Sequence, residues 1–296
     1  MMPSSMLGIL SALGAALVWG SSDFAGGLAA RRLDSFQVLV AAGVGGIAVL
    51  IPTALVTGEM LPSWTSLLWA LLGGAFGAVG IAMLYRGLAH GSAAVISPTA
   101  AVIGVALPVL VGGFVEGMLP GQRLLGIAAG MVGIWMVSRP QEEIYSSGPS
   151  QEPPPAGQAI SAHKKRDLTQ ALIAGLCFGG FFICMAQIPS GSLFYPAAIA
   201  KLVSAMIALV VVRRKQLPVP AIYNPLALMV GVLDAGGNIG FLLARQLTRL
   251  DVAAVLSSMY PAVTVALAWG IMGQKVNKLQ FIGIIICLLG VALITI

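Results

Sequence analysis

The chain has 296 residues, of which 58% are hydrophobic and only 9% charged, and its mean hydropathy is +0.96. Soluble domains carry about a quarter charged residues, so a water-facing globule is excluded and a series of apolar membrane crossings remains. The net charge of +6 does not point to nucleic acid, because Lys and Arg sit at the ends of apolar runs and not along an aromatic-studded surface.

In chain order, apolar runs fall at about 7–29, 36–57, 66–85, 93–114, 122–138, 169–187, 193–212, 225–244, 252–272 and 279–296. Each is close to the roughly 20 residues a helix needs to cross ~30 Å of hydrocarbon. Lipid offers backbone groups no water, so the runs are expected to be helices; barrel strands would be half as long and alternate in polarity. The first run has no Lys or Arg before it and reads as a retained helix, not a cleaved leader. Between the fifth and sixth runs, residues 139–168 are polar and Pro-rich, which predicts a flexible linker. Cys177, Cys184 and Cys287 lie inside apolar runs without paired spacing, and His90 and His163 lie in connections, so neither a metal nor another cofactor is expected.

Residues 1–138 and 169–296 resemble each other. Ala12, Ala15 and Gly20 align with Ala171, Ala174 and Gly179; Gly80, Ala93 and Ser97 align with Gly240, Ala253 and Ser257; Gly126 and Gly133 align with Gly283 and Gly290. Each half holds five predicted helices. Two consecutive odd-numbered repeats must enter the membrane from opposite faces, which predicts an all-α protein of ten transmembrane helices in two inverted five-helix repeats. That plan is common among secondary transporters, with the site at the repeat interface near the midplane. The loops after the odd-numbered helices hold most of the Lys and Arg, including Arg31, Arg32, Arg86, Arg213, Arg214 and Lys215, while the other face has Arg123, Arg245 and Arg249. The positive-inside rule then puts the first set in the cytoplasm and both termini outside.

Trp19-Gly20-Ser21-Ser22-Asp23-Phe24 resembles the opening motif of the EamA-like branch of the drug/metabolite transporter superfamily. Each repeat's ending is also similar to that family: Glu116 precedes Gly126 and Gly133, and Gly273-Gln274-Lys275 precedes Gly283 and Gly290. Three features differ from the family pattern. Gln274 replaces a usual Glu, the second repeat has Phe178-Gly179-Gly180 for Trp-Gly-Ser, and many relatives have cytoplasmic termini. The resemblance implies a cavity among helices 1, 3, 4, 6, 8 and 9. It also implies a multi-pass protein of the cell membrane that exports small organic metabolites, amino acids or drugs by alternating access.

Ionisable residues inside a membrane are costly and usually face a cavity or a partner. Asp23, Lys201 and Asp234 lie well inside apolar runs, Lys201 about 12 Å deep at 1.5 Å per residue. They are expected to meet substrate, a coupling ion or each other. Asn238 follows Asp234 by four residues and shares its helix face. The blander readings are a static Lys201–Asp234 salt bridge and pairing of Asp23 with Arg31 or Arg32. Trp19, Tyr85 and Tyr260 could contact substrate or simply pack. Pro98, Pro108 and Pro261 are expected to interrupt helices 4 and 9 near the cavity, opening a carbonyl or only kinking the helix. Glycines at 73, 77 and 80 and at 126, 130 and 133 should let helices approach closely.

An embedded enzyme would need a Ser/His, paired-Asp or metal constellation at depth, and none is visible. No phosphate loop GxxxxGK[ST] is present for ATP-driven work. A receptor or scaffold that binds without moving solute is the remaining alternative. The partners expected are the lipid bilayer, a small-molecule substrate and a second copy in a homodimer.

Overall fold

The structure, a computed structural model, describes the backbone of residues 4–90, 93–137, 158–218, 223–273 and 277–295, with side chains except at 84–99, 158–167 and 295. Among the described residues there is no strand, and eleven helices follow one another. They are α1 (Ser4–Ala29), α2 (Ser35–Thr57), α3 (Trp64–His90), α4 (Ala93–Glu116), α5 (Gly121–Val137), α6 (Gln158–Ala186), α7 (Phe194–Arg214), α8 (Pro225–Leu247), α9 (Leu250–Ser257), α10 (Tyr260–Met272) and α11 (Lys278–Thr295). Seven spans are individually long and apolar enough to cross a membrane, with α9 and α10 together making one of them, Leu250–Met272. Ala100–Glu116, Gly121–Val137 and Lys278–Ile294 are shorter apolar helices near the lower limit of about 17 residues for a crossing.

Local chemistry sets the helix ends. Asp34 starts α2 with a capping box: its Oδ1 accepts the Phe36 N–H at 2.9 Å, and its own N–H donates to Gln37 Oε1 at 2.8 Å. Asn224 caps α8 just before Pro225, whose missing N–H costs nothing in a first turn. Gly58 and Gly273 end α2 and α10 at φ 66° and 64°, where a side chain would be strained. Glu59, beyond α2, accepts the N–H groups of Leu193, Phe194 and Tyr195 at 2.8–3.0 Å. It thus supplies α7 with the anionic cap its own sequence lacks.

Proline behaves differently from the expectation. α4 runs unbroken through Pro98 and Pro108. Pro108 cannot bond the Gly104 carbonyl, but that oxygen faces Gly179 of α6, where an added Cβ would lie 3.2 Å away. A neighbouring helix with no side chain there can soften the lost bond. Among the described residues the ninth segment does break, at Ser258 and Met259, and Pro261 starts its second piece.

The bundle is small inside and large outside. Ala12, Ala15, Ala171, Ala174, Ala197, Ala253 and Ala254 are buried, while Leu17, Val56, Phe114, Leu202, Trp269, Phe281 and Leu288 face outward. Lipid is as apolar as leucine, so close packing of small residues holds such helices together. α1 packs on α8 and α3 on α6; α2 packs on α7 and α8, and α3 on α7; α4 lies on α6, α1 on α9 and α10, and α5 on α11. On α5 and α11, Gly126 and Gly290 meet so closely that a Cβ on either falls within 3 Å of the other's carbonyl.

Gly231 of α8 is tighter still, its hydrogen pressed against the Ala42 carbonyl of α2. Gly231→Ala would force two cavity-wall helices apart. A loss of about 2–3 kcal/mol is expected, read as reduced resistance to unfolding in detergent; unchanged stability would contradict this contact.

Candidate functional site

A cavity of about 440 Å³ lies at the centre of the bundle. That is ample for a small organic molecule. α1 contributes Trp19, Ser22 and Asp23; α6 contributes Phe178, Phe181 and Phe182; α7 contributes Lys201 and Ser204; α8 contributes Asp234 and Asn238; and α10 contributes Tyr260. The wall continues along Val38 and Leu39 of α2 to Ala30 and Ser35 at the α1–α2 connection, where the exposed lining residues Gly27 and Ala30 bring the cavity to the surface. Close backbone packing shapes this wall: Ser204 Oγ donates to Gly74 O on α3 at 2.9 Å, and Ser22 Oγ donates to Val230 O on α8 at 2.9 Å.

Lys201 and Asp234 form an ion pair across the wall, their side chains 14% and 31% exposed. The Asn238 amide donates to Asp234 Oδ2 at 2.9 Å and to the Asp234 carbonyl at 2.7 Å, so the carboxylate is held from its own helix as well. The Lys201 stem runs over Gly46 of α2, where an added Cβ would sit 3.3 Å from Cε. Asp23 is different. It is exposed to the cavity and, among the described residues, has neither an ion pair nor a hydrogen bond; the pairing with Arg31 or Arg32 does not form. Its charge is close enough to act on Asp234 and on Tyr260.

An aromatic floor closes the inner end. Trp19 lies 6.0 Å from Phe182, 6.2 Å from Phe241 and 6.4 Å from Tyr260 between ring centroids, and Phe182 lies 4.8 Å from Phe241. Phe178, Phe182 and Tyr260 also line a second pocket of about 10 Å³, room for one water, into which Ser258 of the broken span faces. The Ser258 hydroxyl is buried without a hydrogen-bond partner among the described residues.

Beyond the floor, the opposite face is tied by charge. Glu116 Oε1 meets Arg245 Nη2 at 3.0 Å, and Arg249 Nη2 meets Asp251 Oδ2 at 2.9 Å. Arg249 also donates to the carbonyls of Glu116 at 2.9 Å and Gly117 at 2.6 Å. The Asp251 hydrogen bond pushes the Arg249 pKa above its ordinary value, helped by the charges of Asp251 and Glu116 and opposed by burial. This network joins the α4–α5 connection to the α8–α9 connection.

Six of the expected residues, Trp19, Asp23, Lys201, Asp234, Asn238 and Tyr260, thus line one cavity. Pro108 and Pro261 do not line it, and the side chains of Tyr85 and Pro98 lie outside the described residues. The helix set also differs from the one the resemblance implies. α2 and α7 form walls, while the described part of α4 lines only the smaller pocket. Sequence reasoning missed the floor residues Phe178 and Phe182. The repeat offset holds a signal for them, since aligning Gly20 with Gly179 puts Phe178 opposite Trp19 and Phe182 opposite Asp23.

No curated protein matches the chain. A solved structure titled only "Crystal structure of protein" is similar in fold, with a TM-score of 0.73 over 98% of each chain at 16% identity. The model of the EamA-like transporter family matches residues 6–139 and again 167–296. With each half matched in turn by one family, and nearly the whole length covered between them, this multi-pass membrane protein belongs to the EamA-like transporter family.

Proposed function

We propose that the chain is a secondary transporter of the cell membrane that moves small organic molecules outward by alternating access, its two halves, 1–138 and 169–296, inverted about the central cavity and joined by a linker at 139–168. The carrying observation is the cavity itself. It holds the intramembrane charges Asp23, Lys201 and Asp234, draws walls from both halves, and opens toward the α1–α2 connection while the Glu116, Arg245, Arg249 and Asp251 network binds the other face. The helix contacts support a two-fold exchange of the halves, which five crossings apiece would make an inversion. Exchanging the first five crossings for the last five turns α1–α8 into α6–α3, α2–α8 into α7–α3, and α4–α6 into the ninth span on α1. Odd repeats related in this way can rock about a shared midplane site. By the charge rule the open face is cytoplasmic, which suits loading for export.

Profiling of spent medium from overproducing and deletion cells tests this. At least one small organic solute is expected to rise with overproduction and fall on deletion, and to show counterflow in proteoliposomes of the purified protein. Binding of that solute without counterflow would make the protein a receptor and defeat the transport reading.

A further inference from the structure

We infer that the substrate is an organic cation with an apolar or aromatic body, its charge met by Asp23 and its body by the aromatic wall. This rests on the transport reading and narrows the chemistry of the same cavity. Among the described residues lining the cavity there are three charges, Asp23, Lys201 and Asp234. Lys201 is engaged by Asp234, and Asp234 is held again by Asn238, so neither is available without breaking an ion pair in a low-dielectric setting. Asp23 is left facing open cavity space with no partner among the described residues.

Among its described lining residues the cavity therefore offers one free charge, and it is negative. An anion would face Asp23 with no free cation among those residues to compensate. A zwitterion could place its ammonium at Asp23, but its carboxylate would find Lys201 already taken. A cation satisfies the site as it stands. An inorganic cation would find only scattered neutral oxygen ligands there, on Ser22, Ser35, Ser204 and Asn238, beside the rings of Trp19, Phe178, Phe181, Phe182 and Tyr260, which suit an apolar body better. Ring faces next to a carboxylate favour an ammonium carried on an apolar body.

Three probes share one aromatic body and differ in charge: 2-phenylethylamine, L-phenylalanine and 3-phenylpropionate. Equilibrium binding to the purified full-length protein in detergent is expected to favour the amine by at least about tenfold over either other probe, the scale of one charge-assisted contact. Asp23→Asn should remove that preference while remaining folded and monodisperse, and Asp23→Glu should retain it. Equal or better binding of the zwitterion or the anion, an Asp23→Asn protein that still prefers the amine, or binding of none of the three overturns the assignment. Counterflow of the same probes separates this from the transport reading. Amine binding without amine counterflow removes transport and leaves the cation site standing, whereas counterflow of only the zwitterion or anion retains transport and removes the cation site.

Discussion

Replacing Arg249 by Met is expected to cost about 3 kcal/mol of stability, at the lower end of what breaking a buried ion pair costs. Asp251 is only 1% exposed, and Arg249 is the cation that compensates it. The Arg249 guanidinium also satisfies the carbonyls of Glu116, the last residue of α4, and of Gly117 just beyond it. The variant would therefore bury an unpaired carboxylate and strand two acceptors at once. Water can reach the site, since the Arg249 side chain is 24% exposed, and that keeps the cost from the top of the range. Asp251→Asn combined with Arg249→Met removes the uncompensated charge, so much of the loss should return. Denaturant titration in detergent micelles reads both. A single variant as stable as the parent would show that this network carries no load on the closed face.

Most of the architecture can be read from the chain because lipid constrains it so strongly. Ten apolar runs forecast ten apolar helical segments, seven of which are long and apolar enough to cross a membrane and three shorter. Small residues at helical spacing forecast close approach, realised where Gly126 and Gly133 of α5 meet Gly290 and Gly283 of α11. The charged part of the site is equally legible, because Asp23, Lys201 and Asp234 have few places to go in an apolar bundle other than a shared cavity. The aromatic floor is not. Phe178, Phe182 and Phe241 are indistinguishable in composition from lipid-facing phenylalanines such as Phe114 and Phe281, and beyond the repeat offset that sets Phe178 opposite Trp19 and Phe182 opposite Asp23, packing alone sorts them. Proline misleads for a related reason. Its effect depends on whether a neighbour tolerates the freed carbonyl, and at Pro108 a glycine on α6 does so. The cross-chain caps are illegible too. Glu59 lies 134 residues from the Leu193 N–H it accepts, with no local pattern connecting them.

Lys201→Met and Asp234→Asn together separate a brace from a working part. Lys201→Met alone leaves Asp234 unpaired, but Asn238 still donates to it and its side chain is 31% exposed to the cavity. The loss of stability should therefore be about 1–2 kcal/mol, below the 3–5 kcal/mol of a dry pair. Adding Asp234→Asn removes the bare charge and should return the protein to within about 1 kcal/mol of the parent. Transport should not follow the same course. α7 and α8 both line the cavity, and Lys201 also lies against Gly46 of α2, so in the proposed alternating-access cycle the pair sits where walls would shift. Counterflow of whichever solute the profiling identifies is expected to fall at least about tenfold in Lys201→Met and to stay low in the stable double variant. Parental flux in the double variant would reduce the pair to a brace between α7 and α8. Recovered stability with lost flux would place it in the moving machinery, since a purely structural contact cannot restore the fold and leave transport broken.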